Sequence, residues 1–126
     1  MTLRNAPVIA FLASVDAVKA RQFYEGTLGL RVVEDTPFAL VVEGAGTSVR
    51  IQKVEHFSPQ PFTALGFSVP DITASVKALS SAGVRFERYG FMEQDPLGVW
   101  TSPGGAKIAW FKDPDGNTLS LTSFAT

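Results

Sequence analysis

The chain has 126 residues, 45% hydrophobic and 18% charged, with 11 basic against 12 acidic side chains and a formal net charge of −1. That is the composition of one ordinary globular domain, residues 1–126, long enough for a buried core. The few, scattered Lys and Arg argue against a nucleic-acid partner, and the absence of cysteine excludes disulfides, thiolate metal sites and cysteine nucleophiles.

The first residues, 1–7, carry no signal-peptide pattern. No apolar run approaches the roughly 20 residues of a membrane span. A cytoplasmic protein with no membrane partner is expected. Val8–Ala13 then reads as a strand. Asp16 follows as an N-cap, because its carboxylate can accept from free amides of a first helical turn. Ala17–Thr27 has apolar residues near helical spacing, and Gly26 and Gly29 suit the helix end. Leu30–Glu34, Phe38–Glu43 and Ser48–Val54 read as strands, separated by Thr36-Pro37 and Gly44-Ala45-Gly46. Residues 1–55 are thus a βαβββ module.

Residues 56–61, with Pro59 and Pro61, read as a linker. The order then restarts in residues 62–126. Phe62–Val69 is a strand, Asp71 caps a helix through Ala82, and Gly83 stops it. Val84–Arg88, Ala106–Lys112 and Thr118–Ser123 are expected strands. The segment Asp113-Pro114-Asp115-Gly116-Asn117 between the last two is turn chemistry throughout. Asp16 and Asp71 stand 55 positions apart, so the module is repeated. If Gln52 and Ser120 are equivalent, the second module carries about 13 extra residues, best placed in Tyr89–Thr101. That stretch is apolar and holds Phe91, Met92 and Trp100. It would cover either its own domain, a dimer mate or a ligand site.

Strand residues alternate faces. Leu12, Val49, Ile51, Leu65, Phe67, Leu119 and Leu121 form an aliphatic and aromatic set that must bury against the helices. The opposite set mixes Ile9, Phe11, Arg50, Gln52, Ala64, Gly66, Ser68, Ser120 and Thr122. That mixture suits the lining of a semi-enclosed cleft, with an ordinary wet face as the alternative. Arg50 could meet an anionic ligand group or pair with Glu43 on the neighbouring strand. Trp110 could stack on a planar ligand or serve as core.

Phe23-Tyr24-Glu25, followed two residues later by Leu28-Gly29-Leu30, and the run Phe111-Lys112-Asp113-Pro114-Asp115-Gly116-Asn117, set in two βαβββ modules, resemble the vicinal oxygen chelate superfamily. This group includes glyoxalase I, extradiol dioxygenases and bleomycin-resistance proteins. The resemblance covers nearly the whole chain and implies an α+β fold in which eight strands form a cup-shaped mixed sheet around the ligand, usually in a homodimer. Its enzymes carry a His seven positions before the Asp of each helix and a Glu or related ligand on each module's last strand. Those positions here hold Ile9, Ala64, Gln52 and Ser120. Ile and Ala offer no donor, and Gln and Ser are weak neutral ligands. The one histidine, His56, lies in the linker. No metal and no cofactor are therefore expected.

Without a readable Ser-His-acid set, no catalytic residue is assigned. Asp113 and Asp115 read as turn residues. The reading that follows is a metal-independent small-molecule binding protein, with an antibiotic or a planar or anionic metabolite as the expected class of ligand. Ile9, Phe11, Arg50, Gln52, Ala64, Trp100, Trp110 and Ser120 are its candidate contacts. A glyoxalase-like lyase or isomerase with a non-standard or absent metal site, using Glu34, Glu43 or Glu93 as base, is the alternative. A dimeric interaction module without ligand is a third.

Overall fold

The computed structural model describes residues 2–125; Met1 and Thr126, the ends of the expected domain, lie outside the described residues. The chain forms two compact units, Met1–Ser58 and Pro59–Thr126, divided inside the 56–61 segment. Each carries one four-stranded mixed sheet, and the class is α+β.

In the first unit, β1 (Ile9–Ser14) leads to α1 (Ala17–Arg21). Asp16 caps that helix as expected: its Oδ1 accepts from Lys19 N at 3.1 Å. The helix does not stay regular through Thr27. From Gln22 to Thr27 it widens into a π-helical turn, closed by Leu28 N donating to Phe23 O five residues back. Tyr24, fully buried, sits in this turn with its ring edge-on to Phe23 at 5.2 Å. Strands β2 (Arg31–Asp35), β3 (Ala39–Gly44) and β4 (Thr47–Lys53) complete the sheet in the order β1-β4-β3-β2. Leu12, Leu40, Val42, Val49 and Ile51 are buried on one face. Each such side chain contributes about 1.5–3 kcal/mol by leaving water.

The second unit repeats the plan. β5 (Thr63–Ser68) is followed by α2 (Ile72–Ser81), where Asp71 Oδ1 accepts from Ala74 N at 3.1 Å. β6 (Trp100–Thr101), β7 (Lys107–Lys112) and β8 (Thr118–Ser123) give the order β5-β8-β7-β6. Ile72 and Val76 of α2 are buried, as are Ala109, Phe111, Leu119 and Leu121 of the sheet it packs on. The turn between β7 and β8 is held by Asp113. Its Oδ1 accepts from Asp115 N and Asn117 N, both at 2.9 Å, and its Oδ2 from Asn117 Nδ2 at 2.8 Å.

Two expectations are corrected. Val84–Arg88 is not a strand. Only Phe86 bridges to Phe111, and Glu87 N donates to Trp110 O at 2.8 Å. The chain then leaves the sheet edge and returns as β6, so the outer pairing of β7 is divided between two short pieces. The second correction concerns equivalence. Phe11, five residues before Asp16, pairs with Arg50; Gly66, five before Asp71, pairs with Ser120. Arg50, not Gln52, is therefore the first-module counterpart of Ser120, and the second module is longer by 15 residues. Alternating hydrophobicity has period 2, so a shift of two residues leaves the sequence pattern intact and only hydrogen-bond register reveals it.

Two stability predictions follow from these contacts. Asp113→Ala leaves three donors without their acceptor at a buried turn. Chemical denaturation should show a loss of about 2–3 kcal/mol; a loss near zero would mean the turn holds without its carboxylate. On the other unit, Asp35 Oδ1 receives Lys53 Nζ at 2.6 Å and Oδ2 receives Arg21 Nη1 at 3.1 Å. Lys53 foremost, and Arg21, hold the Asp35 carboxyl below its ordinary 3.8, against an opposing desolvation. The contribution is thus present above pH 3.8 and lost as pH falls through the lowered folded value. Asp35→Asn should flatten the fall of the thermal midpoint below pH 4, read by a pH series of melts.

Candidate functional site

The first unit has a cleft of about 520 Å³ beside its helix, lined by Ala17, Arg21, Glu25, Asp35 and Lys53 among others; the second unit carries an aromatic one on its sheet face. β7 and β8 alternate, so Ala109, Phe111, Leu119 and Leu121 face the core while Ile108, Trp110, Thr118, Ser120 and Thr122 share the other face. On that face Trp110 is half-buried and donates from Nε1 to Thr63 Oγ1 at 3.2 Å. Tyr89 packs edge-on against it with ring centroids 5.6 Å apart, and Trp100 lies tilted at 6.2 Å. Phe91 stacks obliquely on Tyr89 at 5.7 Å and is 82% exposed. Around Trp110 opens a cleft of about 450 Å³, lined by Pro61, Phe62, Thr63, Tyr89, Phe91, Met92, Lys112 and Thr118. That volume falls in the range of small-molecule sites.

The lining is mostly aromatic and aliphatic, with the Thr63 and Thr118 hydroxyls and the Lys112 ammonium as polar groups. None of its residues carries a carboxylate or imidazole. Lys112 Nζ stands 3.7 Å from Glu87 Oε1. Burial, then the Glu87 charge, push the Tyr89 phenol above its ordinary 10.0. Tyr89 is therefore a neutral phenol at physiological pH, fit to pack and to donate a hydrogen bond.

The loop that supplies Tyr89, Phe91 and Met92 is ordered by a side chain. Gln94 Oε1 accepts from Tyr89 N at 2.8 Å, while its Nε2 donates to Glu87 O at 3.0 Å and Gly98 O at 2.8 Å. These bonds span the gap left where the edge strand departs from β7. Asp95 Oδ1 accepts from Leu97 N and Val99 N, both at 2.9 Å.

The first unit gathers Ile9, Phe11, Arg50 and Gln52 on one sheet face. Ile9 pairs with Ser48, Phe11 with Arg50 and Ala13 with Gln52. Ile9 and Phe11 are 54% and 56% exposed. Gln52 lies four strand positions beyond Ser48, about 13 Å along the strand, so it does not stand beside Ile9. Glu43 pairs across the sheet with Ser48 and is held by Arg31 Nη2 at 3.2 Å, so it does not pair with Arg50.

In the second unit Trp110, Trp100 and Ser120 share a face, but Ser120 is only 7% exposed and lies against Gly66. A Cβ at Gly66 would come within 2.9 Å of Ser120 Oγ. Ala64 falls where the β5–β8 register shifts and has no direct partner. Trp110 is the sequence candidate that lines the cleft. Phe62, Thr63, Tyr89 and Thr118 were not singled out from sequence. The Asp113 turn that fixes Thr118 and the apolar loop were the available signals.

The donor chemistry does not fit the metal centre of the enzymes the sequence resembles. By register the corresponding positions are Ile9 and Arg50 in the first unit, Ala64 and Ser120 in the second. Two have no donor, one is a single hydroxyl, and Arg50 is a fixed cation that would repel a metal. Among the described residues no three His, Cys, Asp or Glu side chains come together in a metal-holding group.

Residues 8–121 match the Glyoxalase/Bleomycin resistance protein/Dioxygenase superfamily. The chain belongs to this superfamily. Its fold recurs in a member of the superfamily from Sphaerobacter thermophilus DSM 20745, at 27% identity and TM-score 0.76, covering 98% of this chain and 100% of that one. It recurs in TnmS3, an antibiotic binding protein from Streptomyces sp. CB03234, at 24% identity and TM-score 0.73, with 99% and 100% covered. A glyoxalase/bleomycin resistance protein/dioxygenase from Alicyclobacillus acidocaldarius is similar at 16% identity and TM-score 0.72, with 97% and 93% covered. No curated protein matches the chain significantly. Among the described residues no helix is long and apolar enough to cross a membrane.

Gln94→Ala removes the three bonds that Gln94 makes to the loop backbone. The Tyr89 amide should exchange with solvent about five- to tenfold faster, as expected for loss of a bond worth about 1–1.5 kcal/mol. Gln94→Glu, which keeps the acceptor, should protect it. Equal exchange in all three proteins would show that the loop is ordered without Gln94.

Proposed function

We propose that the protein binds a planar, largely apolar small molecule without a metal, in the manner of a sequestering protein. The observation that carries this is the Trp110 cleft: aromatic walls, two hydroxyls, one ammonium and no carboxylate or imidazole in its lining. Stacking on aromatic faces and shape supply affinity there, and hydroxyls supply orientation. The antibiotic-binding relative among the similar folds supports the same class. The chemistry at Ile9, Arg50, Ala64 and Ser120 supports metal independence. Trp100, Trp110 and Ser120 on the second module, and Ile9, Phe11, Arg50 and Gln52 on the first, remain the assigned contact faces, with Ala64 at the β5 bulge. Exposed Val8 and Phe38 support a homodimer as the working form, and a cytoplasmic location is part of the same proposal.

The lyase or isomerase alternative would need a base at the ligand. Glu43 is tied to Arg31, and Glu34 and Glu93 are exposed outside the cleft lining. Binding is therefore the better supported reading.

A thermal-shift screen of aromatic natural products, run with and without EDTA, tests this. A ligand at 100 times its dissociation constant should stabilise the fold by about 2.7 kcal/mol. The shift should be unchanged by EDTA and quench tryptophan fluorescence. Trp110→Ala should weaken binding at least about fivefold, in line with loss of one aromatic contact worth about 1–3 kcal/mol. A shift that vanishes with EDTA, or survives undiminished in Trp110→Ala, would overturn the reading.

A further inference from the structure

Among the described cations of the first module, Arg4, Lys19 and Arg50 make no ion pair, and of these three Arg50 alone is half-buried. Arg21 is matched to Glu25 and Asp35, Arg31 to Glu43, and Lys53 to Asp35. Arg50 is half-buried in mid-strand and makes no ion pair or side-chain hydrogen bond among the described residues. Partial loss of water around a guanidinium costs free energy unless something replaces it. The neighbours that register gives it on the same face are Phe11 on one side and Val41 on the other. Both are apolar and offer no compensation. The nearest carboxylate in the ladder, Glu43, lies opposite Ser48 and is engaged by Arg31.

We propose that Arg50 binds the anionic group, a carboxylate or sulfonate, of an aromatic ligand whose ring lies along Phe11, an inference that rests on the ligand-binding reading above. The guanidinium presents paired N–H donors that match two oxygens of such a group, and it cannot lose its charge. Apolar flanks lower the local dielectric and strengthen the attraction. Phe11 and Ile9, both more than half exposed on that face, offer the ring an apolar surface. The assignment also accounts for a cation at the position equivalent to Ser120, where a metal-dependent relative would need a donor. The site takes organic anions rather than metal-chelating oxygens.

Two dyes with one skeleton separate the charge from the ring: 8-anilinonaphthalene-1-sulfonate carries a sulfonate and N-phenyl-1-naphthylamine is neutral. The wild-type protein should bind the sulfonate at least about tenfold more tightly by fluorescence titration, as expected of one charge-assisted hydrogen-bonded contact. Arg50→Gln should abolish that preference, so that the two dyes bind with affinities within about twofold of each other. Arg50→Lys, a second variant should Gln disturb folding, should retain part of it. Equal affinity for both dyes, or an undiminished preference in Arg50→Gln, would overturn the inference while leaving the binding reading standing. Loss of the preference together with dimer dissociation in sedimentation would assign Arg50 to a second copy of the chain and also overturn it. Failure of both dyes, with no hit in the thermal-shift screen, would overturn both readings.

Discussion

The parallel pairing of the first and last strands of each module is the constraint on which the rest depends. β1 lies beside β4, and β5 beside β8. A parallel pair cannot be closed by a tight turn and needs a long crossover; each module runs that crossover through a helix and two further strands. That crossover puts the helix over one face and leaves the other face free of it. The register of the pair then decides which residues the free face carries. Phe11 beside Arg50 and Gly66 beside Ser120 are consequences of that one alignment.

Most of this order was legible in the sequence because each element has a local cause. Asp16 and Asp71 announce helix starts through a carboxylate that accepts from the first turn, and both do so at 3.1 Å. The Asp113 turn is legible for the same reason. Elements that depend on distant partners were less so. Val84–Arg88 has strand composition, yet whether it pairs is settled by what β7 offers and by the departure of the chain at Arg88. The π-helical widening after Arg21, which carries the buried Tyr24, is not marked by helical spacing. The same limit applies to the site: Trp110 was visible as a large aromatic on an alternating strand. Thr63 and Tyr89 become neighbours of Trp110 only through folding.

Gln94 shows how a fold tolerates an insertion at a sheet edge. Where β7 loses a continuous partner, backbone groups at Glu87, Tyr89 and Gly98 would lack partners, and unpaired backbone groups away from water are costly. One amide side chain serves all three, because it carries both donors and an acceptor. The inserted residues then need no strand of their own. They are free to present Tyr89, Phe91 and Met92 toward Trp110. The polar bridge and the aromatic wall are thus two parts of one solution.

The two modules have diverged in opposite chemical directions from the same scaffold. The second has built aromatic surface around Trp110 and made its equivalent strand position a buried hydroxyl, tucked against a glycine that leaves room for it. The first has placed a guanidinium on the same face as the exposed Ile9 and Phe11. Metal chemistry needs converging neutral or anionic donors, and neither choice supplies them. Stacking needs flat apolar area, and anion recognition needs a fixed cation in poorly solvated surroundings. Each module satisfies one of those requirements with residues that the metal-binding role would have forbidden. The repeated fold therefore carries flat apolar area in one module and a guanidinium in the other where a donor set would stand, and its asymmetry is chemical, expressed in side chains at equivalent positions on equivalent strands.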